Sequence, residues 1–395
     1  MGLYLTLVLS ALLGASDLER VAPEGCIVDS EAGVVCVGDE EREDEPADID
    51  LAPLAHNPFV RGVALGRVTV RGIEALATLP GLTSLDLFAL DRLRVDLAPI
   101  ARAAPLTSVY LEGTVVKDLS VLAQARHLTR LHLDDVRGVD LGFIADLPRL
   151  ERLIVESFRS VRWGERPWPA TLVELVLRNG VRASQVGPAE PVSLARLPSP
   201  CRLRRLDVYA VALADTDAIA RCAELEQLAA VMTDLDTLAP LAGMVHLKQL
   251  DVAHSGVRSL DGVGTLTALE SLRVDALPID DLSPVASLTA LVSLDASNTK
   301  VVDLSPLAGL AALENLRLDQ TPVSDLSPLA GLRSLGTLVV NDTRVKNLQP
   351  LMSMTGLRFV DLSFTPVVQS DDLSDFKRAR PKVEVIVSAE DEIDP

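Results

Sequence analysis

The chain predicts an α/β solenoid, in which short coils stack so that their strands form a curved parallel sheet on one side and short helical turns line the other. Three observations carry that prediction. A Leu-x-x-Leu-x-Leu motif starts every 22 residues, at Leu203, Leu225, Leu247, Leu269, Leu291, Leu313, Leu335 and Leu357. Within a unit such as LVSLDASNTKVVDLSPLAGLAA, which begins at Leu291, apolar residues fall at positions 1, 4, 6, 11, 14, 17 and 20. That spacing matches neither the period of a helix nor that of a strand, but it fits one turn of a spiral. The run Asp-Leu-Ser-Pro-Leu also recurs at Asp281, Asp303 and Asp325, one unit apart. Self-similarity at a period of about 20–29 residues with this leucine spacing marks leucine-rich repeats.

Each part of the unit has its own reason. Positions 4 and 6 alternate inward from a short strand, which turns positions 3, 5 and 7 toward the concave face. Serine followed by proline predicts a convex helical turn with the serine as N-cap and the proline in the first turn. Position 9 is threonine at Thr114, Thr233, Thr299, Thr321, Thr343 and Thr365, where a hydroxyl is expected to satisfy buried turn backbone. Weaker copies begin at Val60, Leu82, Leu106, Leu128, Leu150 and Leu172, which makes about fourteen units. Two intervals are long: Leu82 to Leu106 spans 24 residues and Leu172 to Leu203 spans 31. The proline-rich stretch GPAEPVSLARLPSP in the latter predicts a projecting loop. Fourteen strands at about 4.8 Å give a face roughly 60 Å long, ample for a protein partner. A solenoid grows by addition, so the whole chain is expected to form one elongated domain.

Four segments follow. Residues 1–16, MGLYLTLVLSALLGAS, are too short an apolar run to span a membrane and predict a signal peptide cleaved near Ser16, although no Lys or Arg precedes the run. Residues 17–59 form an N-terminal cap with an acidic stretch, residues 60–369 the repeats, and residues 370–395 a C-terminal cap. In the last segment SDDLSDFKRARP reads as an amphipathic helix begun by Ser370 or Asp371 and ended before Pro381, and KVEVIV as a final strand. Terminal units must cover an otherwise open apolar end.

The four cysteines pair naturally in such a stack. Cys26 and Cys36 flank IVDSEAGVV, a hairpin with its turn near Ala32-Gly33, while Cys201 and Cys222 fall on neighbouring coils. Each bridge would stabilise by roughly 3 kcal/mol and implies an oxidising compartment, so the expected location is secreted, periplasmic or cell-envelope. Neither a C-x-x-C motif nor a histidine cluster accompanies the cysteines, so no metal and no cofactor are expected.

Net charge is −19, of which Asp39 to Asp50 supplies −7 and Glu390 to Asp394 supplies −4. Both stretches read as solvated segments, and the overall sign excludes nucleic acid as a partner. The glycine-rich phosphate loop, the H-E-x-x-H zinc motif and the G-x-S-x-G elbow are all missing, so the chain is read as non-enzymatic.

The outward columns differ between the two halves. From Leu247 onward position 5 alternates Asp251, Arg273, Asp295 and Arg317, a cross-strand charge ladder that reads as scaffold. Earlier coils place Phe88, Glu112, Asp134, Glu156, Arg178 and Tyr209 at position 7. Arg130, Arg152 and Arg205 stand at position 3, with Tyr110 and His132 at position 5. Acidic and basic rows framed by aromatics form the candidate ligand-binding face, since Tyr and Arg are enriched where binding energy concentrates. Trp163 takes a core slot at position 14 and Trp168 fills an apolar neighbour.

The TxVxDLSPLAGL coils of 22 residues resemble the internalin-type bacterial leucine-rich repeats from Val60 to about Phe376. That resemblance implies the fold and a cysteine-containing N-terminal cap, but no particular ligand, because one scaffold serves many. No sorting motif, C-terminal membrane segment or adhesion module accompanies the repeats, so an invasion role is not carried over. The expected function is an exported binding protein whose concave sheet takes a protein, or alternatively an envelope glycan, with no transmembrane segment in the mature chain. The competing expectation is a structural envelope spacer without a high-affinity ligand.

Overall fold

The structure, a computed structural model, describes residues 23, 26–28, 33–38, 47–90, 95–135, 137–179 and 191–388. The expected signal segment, most of the first acidic stretch, Ala32 of the hairpin turn, the first part of the proline-rich insertion and the acidic tail lie outside the described residues. The chain forms two compact units, residues 1–190 and residues 191–395.

In the first unit the strands are β1 (Ile27–Val28), β2 (Gly33–Val37), β3 (Asp48–Asp50), β4 (Gly62–Gly66), β5 (Thr69–Arg71), β6 (Ser84–Phe88), β7 (Ser108–Glu112), β8 (Arg130–Asp134), β9 (Arg152–Glu156) and β10 (Glu174–Arg178). β1 and β2 make the expected antiparallel hairpin, which the Cys26–Cys36 disulfide closes. From β2 through β4, β6, β7, β8 and β9 to β10 every pairing is parallel, with equal repeat positions opposite one another. The 24-residue interval does not disturb this register, since Ser84 still faces Ser108. Its two extra residues fall between Phe88 and Val95, since Val95 already bridges Val116 and the Asp96–Ala98 bond matches the Asp118–Ser120 bond 22 residues on; α1 (Ala98–Ala103) then stands where other coils have a 3-10 turn.

In the second unit the strands are β11 (Val192–Ser193), β12 (Arg205–Tyr209), β13 (Leu213–Ala214), β14 (Gln227–Val231), β15 (Gln249–Asp251), β16 (Ser271–Arg273), β17 (Ser293–Asp295), β18 (Asn315–Arg317), β19 (Thr337–Val339), β20 (Phe359–Asp361) and β21 (Glu384–Ile386). β12 and β14 to β21 run parallel and in register. The C-terminal cap forms as expected: α2 (Asp371–Ala379) buries Leu373 and Phe376, and β21 adds to β20. Among the described residues no helix is long and apolar enough to cross a membrane.

Packing follows the leucine columns. Leu291, Leu294, Ala296, Val301, Leu307 and Leu310 are each 0% exposed, and the same slots are filled coil after coil. A fully buried Leu contributes about 1.5–3 kcal/mol, so the repeat itself supplies most of the driving force for stacking.

Two local expectations are corrected. Serine is not the N-cap of the convex turns: the 3-10 turns Ser283–Ser287, Ser305–Leu307 and Ser327–Leu329 begin on it. The backbone N–H of Ser283, Ser305 and Ser327 therefore needs an acceptor, and it donates to Oδ1 of Asp281, Asp303 and Asp325 at 2.7, 2.8 and 2.8 Å. Hydrogen bonds from those serines hold the three carboxyls below the usual carboxylate range. Asp50, Asp96, Asp118 and Asp140 serve the first unit in the same way.

The proline-rich insertion is not wholly a projecting loop. Val192 pairs with Leu213 in the β11–β13 ladder, and Val192, Leu194 and Leu197 are buried. The apolar spacing of those three residues outweighs the surrounding prolines. Val192 and Leu213 are 21 residues apart in register, as are Cys201 and Cys222, so the two cysteines occupy the same slot of successive coils and form the second disulfide.

The threonine column does what its position predicts. Hydroxyls of Thr233, Thr299, Thr321 and Thr343 donate to carbonyls three residues earlier at 3.0, 2.7, 2.6 and 2.6 Å. Thr114 bonds the nearer Glu112 carbonyl instead, at 3.1 Å. Just ahead of it, position 8 is left-handed in almost every coil, for example at Met232, Ala276, Gln320 and Phe364, with φ of 54°, 56°, 57° and 58°. That conformation turns the chain off the strand while its N–H still reaches the next coil, as from Gln320 to the Asn341 carbonyl at 3.0 Å.

Candidate functional site

On the first unit the strand register assembles three concave columns. Position 5 runs Asp86, Tyr110, His132, Ile154 and Val176, flanked at position 3 by Ser84, Ser108, Arg130, Arg152 and Glu174. Phe88, Glu112, Asp134, Glu156 and Arg178 follow at position 7. Beyond Asp86 the centre is thus aromatic and aliphatic, with charged residues on both sides.

Tyr110 and His132 stack with ring centroids 4.6 Å apart. The Tyr110 hydroxyl donates to the Glu112 carboxylate. Burial, then that bond, then the negative charges of Glu112, Asp134 and Glu156 push the phenol far above its ordinary value, so it remains a donor. His132 Nε2 donates to Glu156 at 3.0 Å, and Arg178 reaches the other Glu156 oxygen at 3.7 Å. Arg152 Nε lies 3.4 Å from Glu174. Tyr110, Glu112, His132, Glu156 and Arg178 therefore form one contact chain, Arg152 pairs with Glu174, and Arg130 is exposed at the start of β8.

Phe88 is placed differently from a free contact ring. Its ring covers Gly66, where an added Cβ would lie 1.9 Å from Phe88 Cε2. Glycine at position 7 of β4 is what lets the ring lie flat. Asp86 was not among the predicted residues, yet it faces Tyr110 across the β6–β7 ladder. Burial pushes its carboxyl up, against the Ser84 hydroxyl bond and the positive influence of His132. The position 5 column of the preceding coil was the available signal.

Trp163 and Trp168 lie in the core of this unit at 7% and 2% exposure, edge-to-face at 6.0 Å, with Phe158 against Trp163 at 5.5 Å. They are structural, as expected. Among the described residues no group of three or more His, Cys, Asp or Glu is placed to hold a metal ion.

On the second unit the expected ladder is built, and it is denser than the sequence suggested. Arg273 lies 3.0 Å from Asp251, 3.0 Å from Asp275 and 3.9 Å from Asp295, while Arg317 lies 3.5 Å from Asp295 and 3.1 Å from Asp319. Asp275 and Asp319 went unpredicted because they stand at position 7 beside the arginine of their own strand. The Arg-x-Asp spacing was the legible sign. The Ser297 hydroxyl sits between Asp295 and Asp319, 2.6 and 2.7 Å from their Oδ1 atoms, and its one hydrogen donates to either carboxylate. Arg205 and Tyr209 are on β12, where Arg205 Nη2 lies 2.9 Å from Asp207, itself only 6% exposed. Beside them an open depression of about 230 Å³ lies across β12, β14, β15 and β16, over Ala229.

No protein-family model and no curated protein matches the chain. Solved structures do. An internalin (InlF) from Listeria monocytogenes is similar with a TM-score of 0.56 and 20% identity, over 89% of this chain and 88% of that one. A leucine-rich repeat protein of Leptospira interrogans gives a TM-score of 0.63 at 15% identity, over 86% and 89%. The PEPR1-AtPEP1 structure gives 0.59 at 15% identity, covering 92% of this chain and 58% of that one. These likenesses show the fold: a leucine-rich repeat solenoid of the kind found in internalins.

Proposed function

We propose that the protein is an exported, non-enzymatic binding protein that takes another protein on its concave sheet. The observation that carries this reading is the arrangement of the first unit's face. Beyond Asp86, a column of two rings and two aliphatic side chains, Tyr110, His132, Ile154 and Val176, runs between two columns rich in charge. An apolar centre within a polar rim is the general anatomy of protein interfaces, and Tyr and Arg are the residues on which binding energy concentrates there. Structural neighbours, an internalin and the PEPR1-AtPEP1 structure among them, use the same scaffold, which supports the class of function and not a ligand. Two disulfides support an oxidising location, secreted or at the cell envelope. The acidic net charge weighs against nucleic acid. The signal segment at 1–16 and the boundaries at 60 and 370 belong to the same proposal.

The test is a double substitution, Tyr110→Ala with Arg152→Ala, in the full chain. Partner captured by crosslinking on native envelope is identified, purified and titrated against both forms. Affinity is expected to fall at least about tenfold, as for loss of one strong interface residue, with the unfolding midpoint almost unchanged. Equal affinity of the two forms would refute this placement, and failure to capture any partner would favour the spacer reading.

A further inference from the structure

Three strands of the first unit carry a regular pattern of rings, acids and bases. On β7, β8 and β9 position 5 is Tyr110, His132 and Ile154, all half-buried and opposite one another in the ladder. Position 7 is acidic on every one of these strands, as Glu112, Asp134 and Glu156. Position 3 is basic on two of them, as Arg130 and Arg152. On β10 the signs exchange, with Glu174 at position 3 and Arg178 at position 7, so the segregated stretch is three strands wide. Several of these groups are already engaged: Tyr110 donates to Glu112, His132 donates to Glu156, and Arg152 lies 3.4 Å from Glu174. Those bonds hold the rows in place, and what a ligand meets is the sign of each row.

We propose that β7 to β9 receive an amphipathic α-helix of a protein partner, laid across the strands with an apolar stripe on position 5, basic residues toward position 7 and acidic residues toward position 3. The inference rests on the reading that the concave sheet takes a protein, and it names the shape and charge of the docked segment. Spacing selects a helix. Neighbouring strands lie about 4.8 Å apart, so the three central side chains span about 10 Å. Helix residues i, i+3 and i+7 share one face and span about 10.5 Å. An extended segment presents the same side at every second residue, and three such residues span about 13 Å, so its side chains drift off the column. Width agrees: positions 3 and 7 of one strand stand about 13 Å apart, which brackets a helix about 10–12 Å across. Charge selects the flanks, because a helix with one sign on both sides is attracted by one row and repelled by the other. Neither described helix of a second copy serves, since α1 carries no acid and the apolar residues of α2, Leu373 and Phe376, are buried in its own cap.

The experiment pans two phage libraries on the full chain. One randomises the exposed face of a helix in a small three-helix bundle, and the other displays random linear dodecapeptides. The helical library is expected to enrich apolar residues at i, i+3 and i+7, with basic residues on one flank and acidic residues on the other. The winning bundle should lose about tenfold or more in affinity on Ile154→Asp protein, as for loss of a buried aliphatic contact. Other coils carry Asp251 and Asp295 at this position, so the fold accommodates that variant, and an unchanged unfolding midpoint checks it. Arg130→Glu should weaken binding about fivefold, the scale of one exposed ion pair, and changing the facing acid of the bundle to arginine should restore it. That charge exchange supplies the readout if Ile154→Asp folds poorly. Asp303→Asn on the convex side should leave affinity unchanged. Absence of enrichment from the helical library overturns the inference, as do flanks of mixed sign or failure of the exchanged arginine to rescue Arg130→Glu. Linear peptides that win instead and are lost on Ile154→Asp overturn it while leaving the concave reading standing. Binders indifferent both to Ile154→Asp and to Tyr110→Ala with Arg152→Ala overturn both.

Discussion

Gly66 and Phe88 offer the sharpest check on how the first unit's face is built. An alanine Cβ at position 66 would sit 1.9, 2.2 and 2.3 Å from three atoms of the Phe88 ring, about 1.5 Å short of ordinary contact. β4 is held on both sides by β2 and β6, so the ring must yield and not the backbone. Phe88 is half-buried, so swinging it into solvent forfeits about half of the 1.5–3 kcal/mol that full burial of such a side chain is worth, or ~1 kcal/mol. Phe88→Ala alone costs about the same. Once the ring is gone the added methyl meets nothing, so the double variant should cost no more than Phe88→Ala, giving a coupling of about 1 kcal/mol. Urea unfolding followed by tryptophan fluorescence isolates the effect, because both tryptophans of the chain, Trp163 and Trp168, lie in this unit. Each single variant should shift the thermal midpoint by roughly 2–4 °C. Additive losses, or a silent Gly66→Ala, would show that Phe88 does not rest on Gly66 and stands free as a contact ring.

Three further outcomes are expected. The Cys201–Cys222 bridge closes a separation of 21 residues, worth roughly 3 kcal/mol on chain entropy, so Cys201→Ala with Cys222→Ala should lower the midpoint markedly; finding four free thiols by mass analysis of unreduced protein would defeat both pairings. Thr321 is 3% exposed and donates to the Leu318 carbonyl at 2.6 Å, so Thr321→Val should cost about 1–3 kcal/mol and Thr321→Ser much less, whereas a neutral valine would disprove the latch. The Asp86 carboxyl is raised in the folded state, so between 3.8 and its folded value the native protein holds a proton that the unfolded chain has lost, and stability falls as pH rises through that window. Asp86→Asn should therefore be more stable than wild type at neutral pH, with the difference vanishing as pH drops toward 3.8; a difference independent of pH would count against burial as the cause.

The leucine columns make the register legible in the sequence. Once positions 1, 4 and 6 are buried in every coil, a slip of one residue would turn a whole strand inside out, and the in-register pairs from Ser84–Ser108 to Phe359–Glu384 follow. The disulfides were legible for the same reason, as neighbours in a stack. The convex caps were misread because Asp-Leu-Ser-Pro satisfies two placements of the helix start. Which of them wins depends on whether Ser283 N–H is inside the turn, and that is a matter of one dihedral. The insertion was misread by composition, since its prolines are conspicuous and the Val192, Leu194 and Leu197 spacing is not. Of the candidate face, the columns were visible but contacts across them were not: Phe88 finds its resting place on a glycine of the preceding coil. Asp86 matters because the fold buries its carboxyl beside Tyr110, which no single row of the sequence displays.

The two faces resolve one physical problem in opposite ways. A parallel sheet brings side chains of equal position to within about 4.8 Å, so a column of charges must either alternate in sign or repel. In the second unit the charges occupy the middle column and neutralise one another: Arg273 and Arg317 each touch at least two carboxylates. Covering such a ladder with a partner removes water from pairs that are already made, which costs desolvation and returns little. In the first unit the middle column is Tyr110, His132, Ile154 and Val176, and the charges stand at the edges, where they remain wet when the centre is covered. Covering the two rings and the Ile154 and Val176 side chains releases water from largely apolar surface and buries fewer made ion pairs, since only the Tyr110–Glu112 and His132–Glu156 bonds reach that column, so the first unit's face is the better placed to generate affinity.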